Sequence, residues 1–427
     1  MIQLSPLRYM LHRHDSLSAL LLWFWTLIGV VGVGGAATPY SGQAQSVTAD
    51  SGGFRILSDD GAYQLRIGGD VHADSRFQLN DVPGASNEFL TRRARIRLRG
   101  IVENRFGVQL MTDFGRGRTT LQDAFIDFRF ASSLSLRAGS FKTPMGLEFL
   151  QSPNALIQLE RGYPTSFIPN RDVGIQVDGS FWERRAEYAI GVFNGAPDGT
   201  SVQRDVSNAK DVVGRVFVTP WQRDQDSVLQ GLGVGIAASY GNEFEDGRPL
   251  PTYTTRIGSP LFAYRGNARP DGQRTRLMPQ LSYYAGPFGV IGELAWSRHA
   301  VTDGDEKEAL AHYAWQIGAT WFATGEQASF GTTGPAAAYD PDEGAWGAFE
   351  ISAKMQRVSF SDDAFPTFSN PNEAIGNSTI GALGLNWYPV RNVRLMVVVE
   401  HTRFGGTEGA DARNAETTLG TRFQIAY

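Results

Sequence analysis

The sequence predicts an all-β fold, a 16-stranded antiparallel transmembrane β-barrel, on three observations. Residues 92–99 read Arg-Arg-Ala-Arg-Ile-Arg-Leu-Arg. In a strand this puts Arg93, Arg95, Arg97 and Arg99 on one face and Ala94, Ile96 and Leu98 on the other. Segments of roughly ten residues alternate apolar and polar positions along the rest of the chain, as strands do with one face on lipid and one on water. The links between these segments are short and long by turns, as where tight turns close one rim of a barrel and loops the other.

The N-terminus precedes the first strand. An apolar run from Leu17 to Val33 follows the basic residues Arg8, His12, Arg13 and His14 and leads into Gly34, Gly35, Ala36 and Ala37. That order is a secretory signal peptide over residues 1–37, with cleavage after Ala37 or as late as Ala44. Residues 38–61 then form a short periplasmic segment and residues 62–427 the barrel. Loss of residues 1–37 removes Arg8, Arg13 and Asp15, a net +1, so the formal charge moves from −5 to −6. An acidic mature chain disfavours nucleic acid as a partner. Cysteine is absent, so an exported fold of this size is held by its sheet without disulfides.

A first strand near Ala62–Gln78 places Leu65, Ile67, Val71 and Ala73 on one face, with Gln64, Arg66, Asp70, His72, Asp74 and Arg76 on the other. The arginine strand, Leu90–Val102, follows, then Phe106–Phe114, Thr120–Phe130, Leu134–Lys142, Val173–Trp182, Arg185–Phe193 and Val212–Thr219. The second half supplies Leu232–Tyr240, Thr275–Ala285, Phe288–Trp296, His312–Phe322, Trp346–Ser359, Ser378–Trp387, Val393–Thr402 and Thr417–Tyr427. Long links are expected at residues 143–172, 194–211, 241–274, 297–311, 360–377 and 403–416. Two turns on the short side, around Pro220–Gly231 and Ala323–Ala345, are longer than the pattern requires. Trp182, Trp221, Trp296, Trp321, Trp346 and Trp387 fall at expected strand ends, where interfacial girdles belong. Phe423, Ile425 and Tyr427 share one face of the last strand, and the terminal aromatic Tyr427 resembles the signal read by the outer-membrane assembly machinery.

Three runs carry a resemblance. Phe89-Leu90-Thr91-Arg92-Arg93-Ala94-Arg95, Leu121-Gln122-Asp123-Ala124-Phe125-Ile126 and Ala138-Gly139-Ser140-Phe141-Lys142-Thr143-Pro144-Met145-Gly146-Leu147-Glu148 resemble the phosphate-selective porins O and P of Gram-negative outer membranes. Thr324-Gly325-Glu326 and Gly344-Ala345-Trp346 are similar to that family's long late turn, and the likeness runs from about residue 54 to the C-terminus. The resemblance implies a homotrimer in outer-membrane lipid, a long third loop folded into the pore, and an arginine ladder leading anions such as phosphate to a constriction that contains lysine. Lys142 matches the lysine of the family motif, and the 143–172 segment beside it carries Glu160, Arg161 and Arg171. A thirty-residue connection without its own strong pattern is itself unusual and points to function. The chain departs from the family in holding only four lysines, Lys142, Lys210, Lys307 and Lys354, among 39 basic residues.

The expected function is therefore a water-filled channel for small anions, with Arg93, Arg95, Arg97, Arg99, Lys142, Arg161 and Arg171 lining the path. A general diffusion channel without ion preference is the alternative, because Asp70 and Asp74, or Asp123 and Asp127, can pair with the arginine column. Lys142 has a structural alternative too, pairing with Glu148 or Glu160 to hold the loop. No enzyme, cofactor or metal is expected: His72, His299, His312 and His401 sit in no catalytic or ligand spacing. A lipase-type enzyme would need a serine and a histidine on the lipid face. His401 lies beside Val397 and Val399, but no serine partner can be named. Gly115-Arg116-Gly117-Arg118 has no helix after it and reads as a loop.

Overall fold

The computed structural model describes residues 46–427 except 51, 81–86, 205–207, 245–249, 256–257 and 412. The expected signal peptide and its cleavage point lie outside the described residues. Sixteen strands form one antiparallel sheet. The first eight are β1 (Gln64–Gln78), β2 (Glu88–Val102), β3 (Phe106–Asp113), β4 (Thr120–Ala131), β5 (Leu134–Phe141), β6 (Asp172–Phe181), β7 (Ala186–Phe193) and β8 (Asp211–Val218). The rest are β9 (Leu232–Phe244), β10 (Arg269–Ala285), β11 (Phe288–Asp303), β12 (Glu306–Phe322), β13 (Ala348–Ser359), β14 (Asn377–Val390), β15 (Val393–Gly405) and β16 (Glu416–Ala426).

Each strand pairs with the next, and β16 returns to β1 in register from Thr418 opposite Gln78 to Ala426 opposite Asp70. The sheet is thus a closed barrel with no open edge along its wall. Below that seam β1 is longer than β16. Ser46–Asp50 and Gly53–Leu57 form a hairpin whose second strand pairs with Gln64–Ile67, so the part of the N-terminal segment from Ser46 onward extends the sheet.

Alternation decides the two faces. Ile96, Val108, Ile126, Ile190, Val212, Ile236, Ile317, Leu383 and Val397 are all at least 44 % exposed, an apolar surface that water alone would not leave uncovered. Their neighbours in sequence point inward, and there Asp70, Gln176, Arg276, Gln316, Lys354 and Arg422 are buried. Aromatic pairs mark the turn rim, with Phe106 on Phe128 at 4.6 Å and Phe349 on Trp387 at 6.3 Å between ring centroids.

Residues 297–311, expected as a long loop, instead continue β11 and β12 to a tight turn at Gly304, where φ is +61°. Trp296 accordingly lies within β11, opposite Tyr313, and not at a strand end. The reason is physical: past the lipid band outward residues such as Arg298 and Thr302 are free to be polar, so alternation fades while the hydrogen-bond ladder goes on. The 241–274 link shortens in the same way, with β9 running to Phe244 and β10 starting at Arg269.

The largest buried apolar cluster joins long connections to inward strand residues. Phe149, Tyr163, Phe167, Tyr253, Phe262 and Phe360 pack with Met278, Ala314 and Val358.

Candidate functional site

On β2 the arginines occupy the face opposite the exposed Ile96 and Leu98. Arg93 is 2 % exposed and lies 3.3 Å from Nδ1 of His72. Arg95 donates to Asp113 on β3 at 2.8 Å. Arg97 stands 3.8 Å from Asp70, and Arg99 has no ion-pair partner among the described residues. The carboxylates named from the sequence as neutralisers are mostly spent elsewhere: Asp74 on Arg422, Asp123 on Arg171 and Asp127 on Arg137. Asp113, which sequence reasoning missed, engages Arg95 most closely, while Asp70 stays near Arg97.

A β-bulge adds a further arginine. Register is His72 opposite Arg93 but Ala73 opposite Thr91, so Arg92 is the extra residue and can turn the same way as Arg93. Both reach Glu160 of the 142–171 connection. Arg92 grips it as a fork, Nε to Oε1 at 2.5 Å and Nη2 to Oε2 at 2.9 Å. Arg76 adds a 2.9 Å hydrogen bond, and Arg93 and Arg422 stand 3.7 Å away. Burial alone would make the Glu160 carboxyl a weaker acid, but Arg92 and Arg93 outweigh it and hold its pKa well below the usual carboxylate range. Arg92, Arg76 and Arg422 were missed as site residues; the doublet Arg92-Arg93, which breaks strict alternation, was the available signal.

Lys142 and Arg161 engage backbone instead of carboxylates. A one-turn helix, Leu147–Leu150, ends beside them. Lys142 Nζ donates to the carbonyls of Phe149 at 2.5 Å and Gln151 at 3.2 Å. Arg161 donates to the carbonyls of Glu148 at 3.0 Å and Gln151 at 2.7 Å. Carbonyls at a helix end attract cations but do not cancel their charge. Neither cation has a carboxylate within 4.0 Å among the described residues, so Lys142 pairs with neither Glu148 nor Glu160. Glu148 is bound by Lys354 of β13, with Gln316 at 2.8 Å and the Gly162 amide at 2.6 Å. Arg171 differs from both. It is 4 % exposed and donates to Asp123 at 2.6 Å, as a tether between the connection and β4.

The same connection bonds to side chains around much of the wall. Asn154 meets His72 at 2.8 Å, Gln158 donates to Ser352 at 3.1 Å, the Tyr163 amide donates to Gln356 at 2.7 Å, and Arg422 donates to the Leu159 carbonyl at 2.7 Å. These partners belong to β1, β13 and β16, while the connection itself joins β5 to β6.

The family model described as phosphate-selective porin O and P matches residues 65–427. No curated protein sequence matches the chain. Among solved structures, the anion-selective porin from Comamonas acidovorans superposes with a TM-score of 0.54 at 12 % identity, covering 86 % of this chain and 100 % of that one. The outer membrane channel DcaP of Acinetobacter baumannii gives 0.56 at 10 % identity, over 87 % and 99 % of the two chains. OmpT, an outer membrane protein of Vibrio cholerae, in its trimer form gives 0.53 at 10 %, over 86 % and 100 %. At such identities the likeness is one of fold.

Proposed function

Because the chain belongs to the phosphate-selective porin O and P family, and is thus a channel in the outer membrane of a Gram-negative bacterium, we propose that it passes small anions in preference to cations. The carrying observation is the pair Lys142 and Arg161, two cations anchored on carbonyls with no carboxylate within 4.0 Å among the described residues. In a narrow aqueous path with low-dielectric walls, such charge concentrates anions and repels cations. Arg95, Arg97 and Arg99 extend the positive path toward the turn rim, and Arg93 meets it at the level of Glu160. Arg171 serves this path by fixing the connection.

Residues 142–171 fold into the barrel and set its narrowest level. Their bonds to β1, β13 and β16, across from their own β5 and β6, support this. Phosphate is admitted as one anion among several, since the arginine cluster best shaped for an oxyanion already holds Glu160. The protein works as a homotrimer, consistent with the trimer form of OmpT, which shares its fold. Tyr427, paired with Gly69 through both its amide and its carbonyl and 44 % exposed at the seam, presents the terminal aromatic to the assembly machinery.

The opposing reading, a channel without ion preference, draws on the close Arg95–Asp113 pair at 2.8 Å. Zero-current potentials across a salt gradient separate the two. Arg97→Ala with Arg99→Ala should lower the anion-to-cation permeability ratio severalfold, most in dilute salt where the screening length exceeds about 10 Å. An unchanged ratio rejects the arginine path.

A further inference from the structure

A cavity of about 430 Å³ lies beneath the helix of the 142–171 connection, on the side of β7, β8 and β10. The anion path just described makes no use of it. Leu147 and Leu150 come down from the helix, Phe330 comes from the long turn before β13, and Arg215 and Phe217 come from β8. Val212 and Val216, on the other parity of β8, are exposed outward, so Arg215 and Phe217 face the interior. Channel walls that meet only water and simple ions are polar. Several apolar side chains at one level, with arginines among them, point to a solute that has both an apolar body and a negative charge.

The arginine geometry narrows the solute class. The Arg215 guanidinium lies 4.8 Å from the Phe217 ring centroid, and its Nε donates to Gln280 at 3.0 Å. These contacts fix its plane and leave its outer nitrogens for a ligand. Glu187 approaches only to 3.9 Å and is 62 % exposed, so it offsets little of the charge. Arg185, also on the lining, packs over Trp182 with its guanidinium carbon 4.5 Å from the ring centroid. The volume falls within the range of small-molecule sites.

We propose that this cavity is a transient binding station for small aromatic carboxylates. The carboxylate meets Arg215, and the ring lies among Phe217, Leu150 and Phe330. The proposal rests on the reading of the chain as an anion channel and goes beyond it, because inorganic phosphate gains nothing from an apolar wall.

The test is block of chloride current through the purified channel in planar bilayers by benzoate, acetate or inorganic phosphate. Benzoate should half-block at a concentration at least tenfold below that of acetate or phosphate, a difference of about 1.4 kcal/mol. Arg215→Gln should raise the benzoate value about tenfold. Phe217→Ser should bring the benzoate-to-acetate ratio near one, while Phe217→Leu keeps most of it. If Phe217→Ser does not assemble, Leu150→Ser takes its place with the same expectation. Equal block by benzoate and acetate in an anion-selective channel overturns this inference alone, and so does a ratio that survives the serine variant that assembles. A cation-selective zero-current potential overturns the anion reading beneath it.

Discussion

Glu160 decides how the arginine cluster behaves. Two guanidinium groups hydrogen-bond to it directly and two more stand within 3.7 Å, so the chain supplies its own carboxylate where an incoming oxyanion would otherwise rest. Glu160→Gln keeps the shape and removes the charge. It should leave Arg92 and Arg93 with no carboxylate within 4.0 Å among the described residues, and so lower the phosphate concentration that half-blocks chloride current by about tenfold. It should also cost the fold about 2 kcal/mol, the scale of hydrogen bonds to a charged group, read from unfolding in detergent. No change in phosphate block contradicts this role.

The pH dependence of the same residue has a definite sign. Its folded value lies below the ordinary glutamate value of about 4.3, so its stabilising contribution is complete above that pH and is lost as pH falls through the folded value. Conductance governed by the loop should therefore be flat from about pH 8 to 5 and change only in stronger acid. A step centred between pH 5 and 7 that Glu160→Gln abolishes contradicts the assignment.

Among the elements, the strands were largely legible and the loops were not. Where lipid fixes one face, as in β2 or β14, every second residue is apolar and a strand shows itself from a dozen residues. The sixteen strands were each located, with boundaries shifted at the ends. Where β11 and β12 rise past the lipid that constraint ends, and residues 297–311 read as a loop although the ladder continues. The bulge at Arg92 depends on pairing with β1, which no local pattern records. The partners of Lys142, Glu148 and Arg171 were equally hidden, since they are set by how the connection meets distant strands.

Two predictions belong to this scale. Leu383, 67 % exposed on β14, should face lipid, and Leu383→Arg should destabilise the barrel by about 2–4 kcal/mol in bilayer refolding. Stability equal to that of the parent would mean that this face does not meet lipid. Replacing residues 152–159 by a short Gly-Ser link should raise single-channel conductance severalfold if the connection sets the narrowest level; unchanged conductance places the constriction elsewhere.

The whole molecule carries a formal charge of −5 over its 427 residues, yet its proposed path is positive. Net charge is therefore no guide to its selectivity; placement is. Acids on the path are largely engaged by arginines, whereas Lys142 and Arg161 rest on carbonyls with no carboxylate within 4.0 Å among the described residues. The most direct test of the central claim is the zero-current potential of the purified channel across a tenfold potassium chloride gradient in dilute salt. The account predicts the sign set by chloride as the more permeant ion. A potential of the opposite sign, or one indistinguishable from zero, contradicts it.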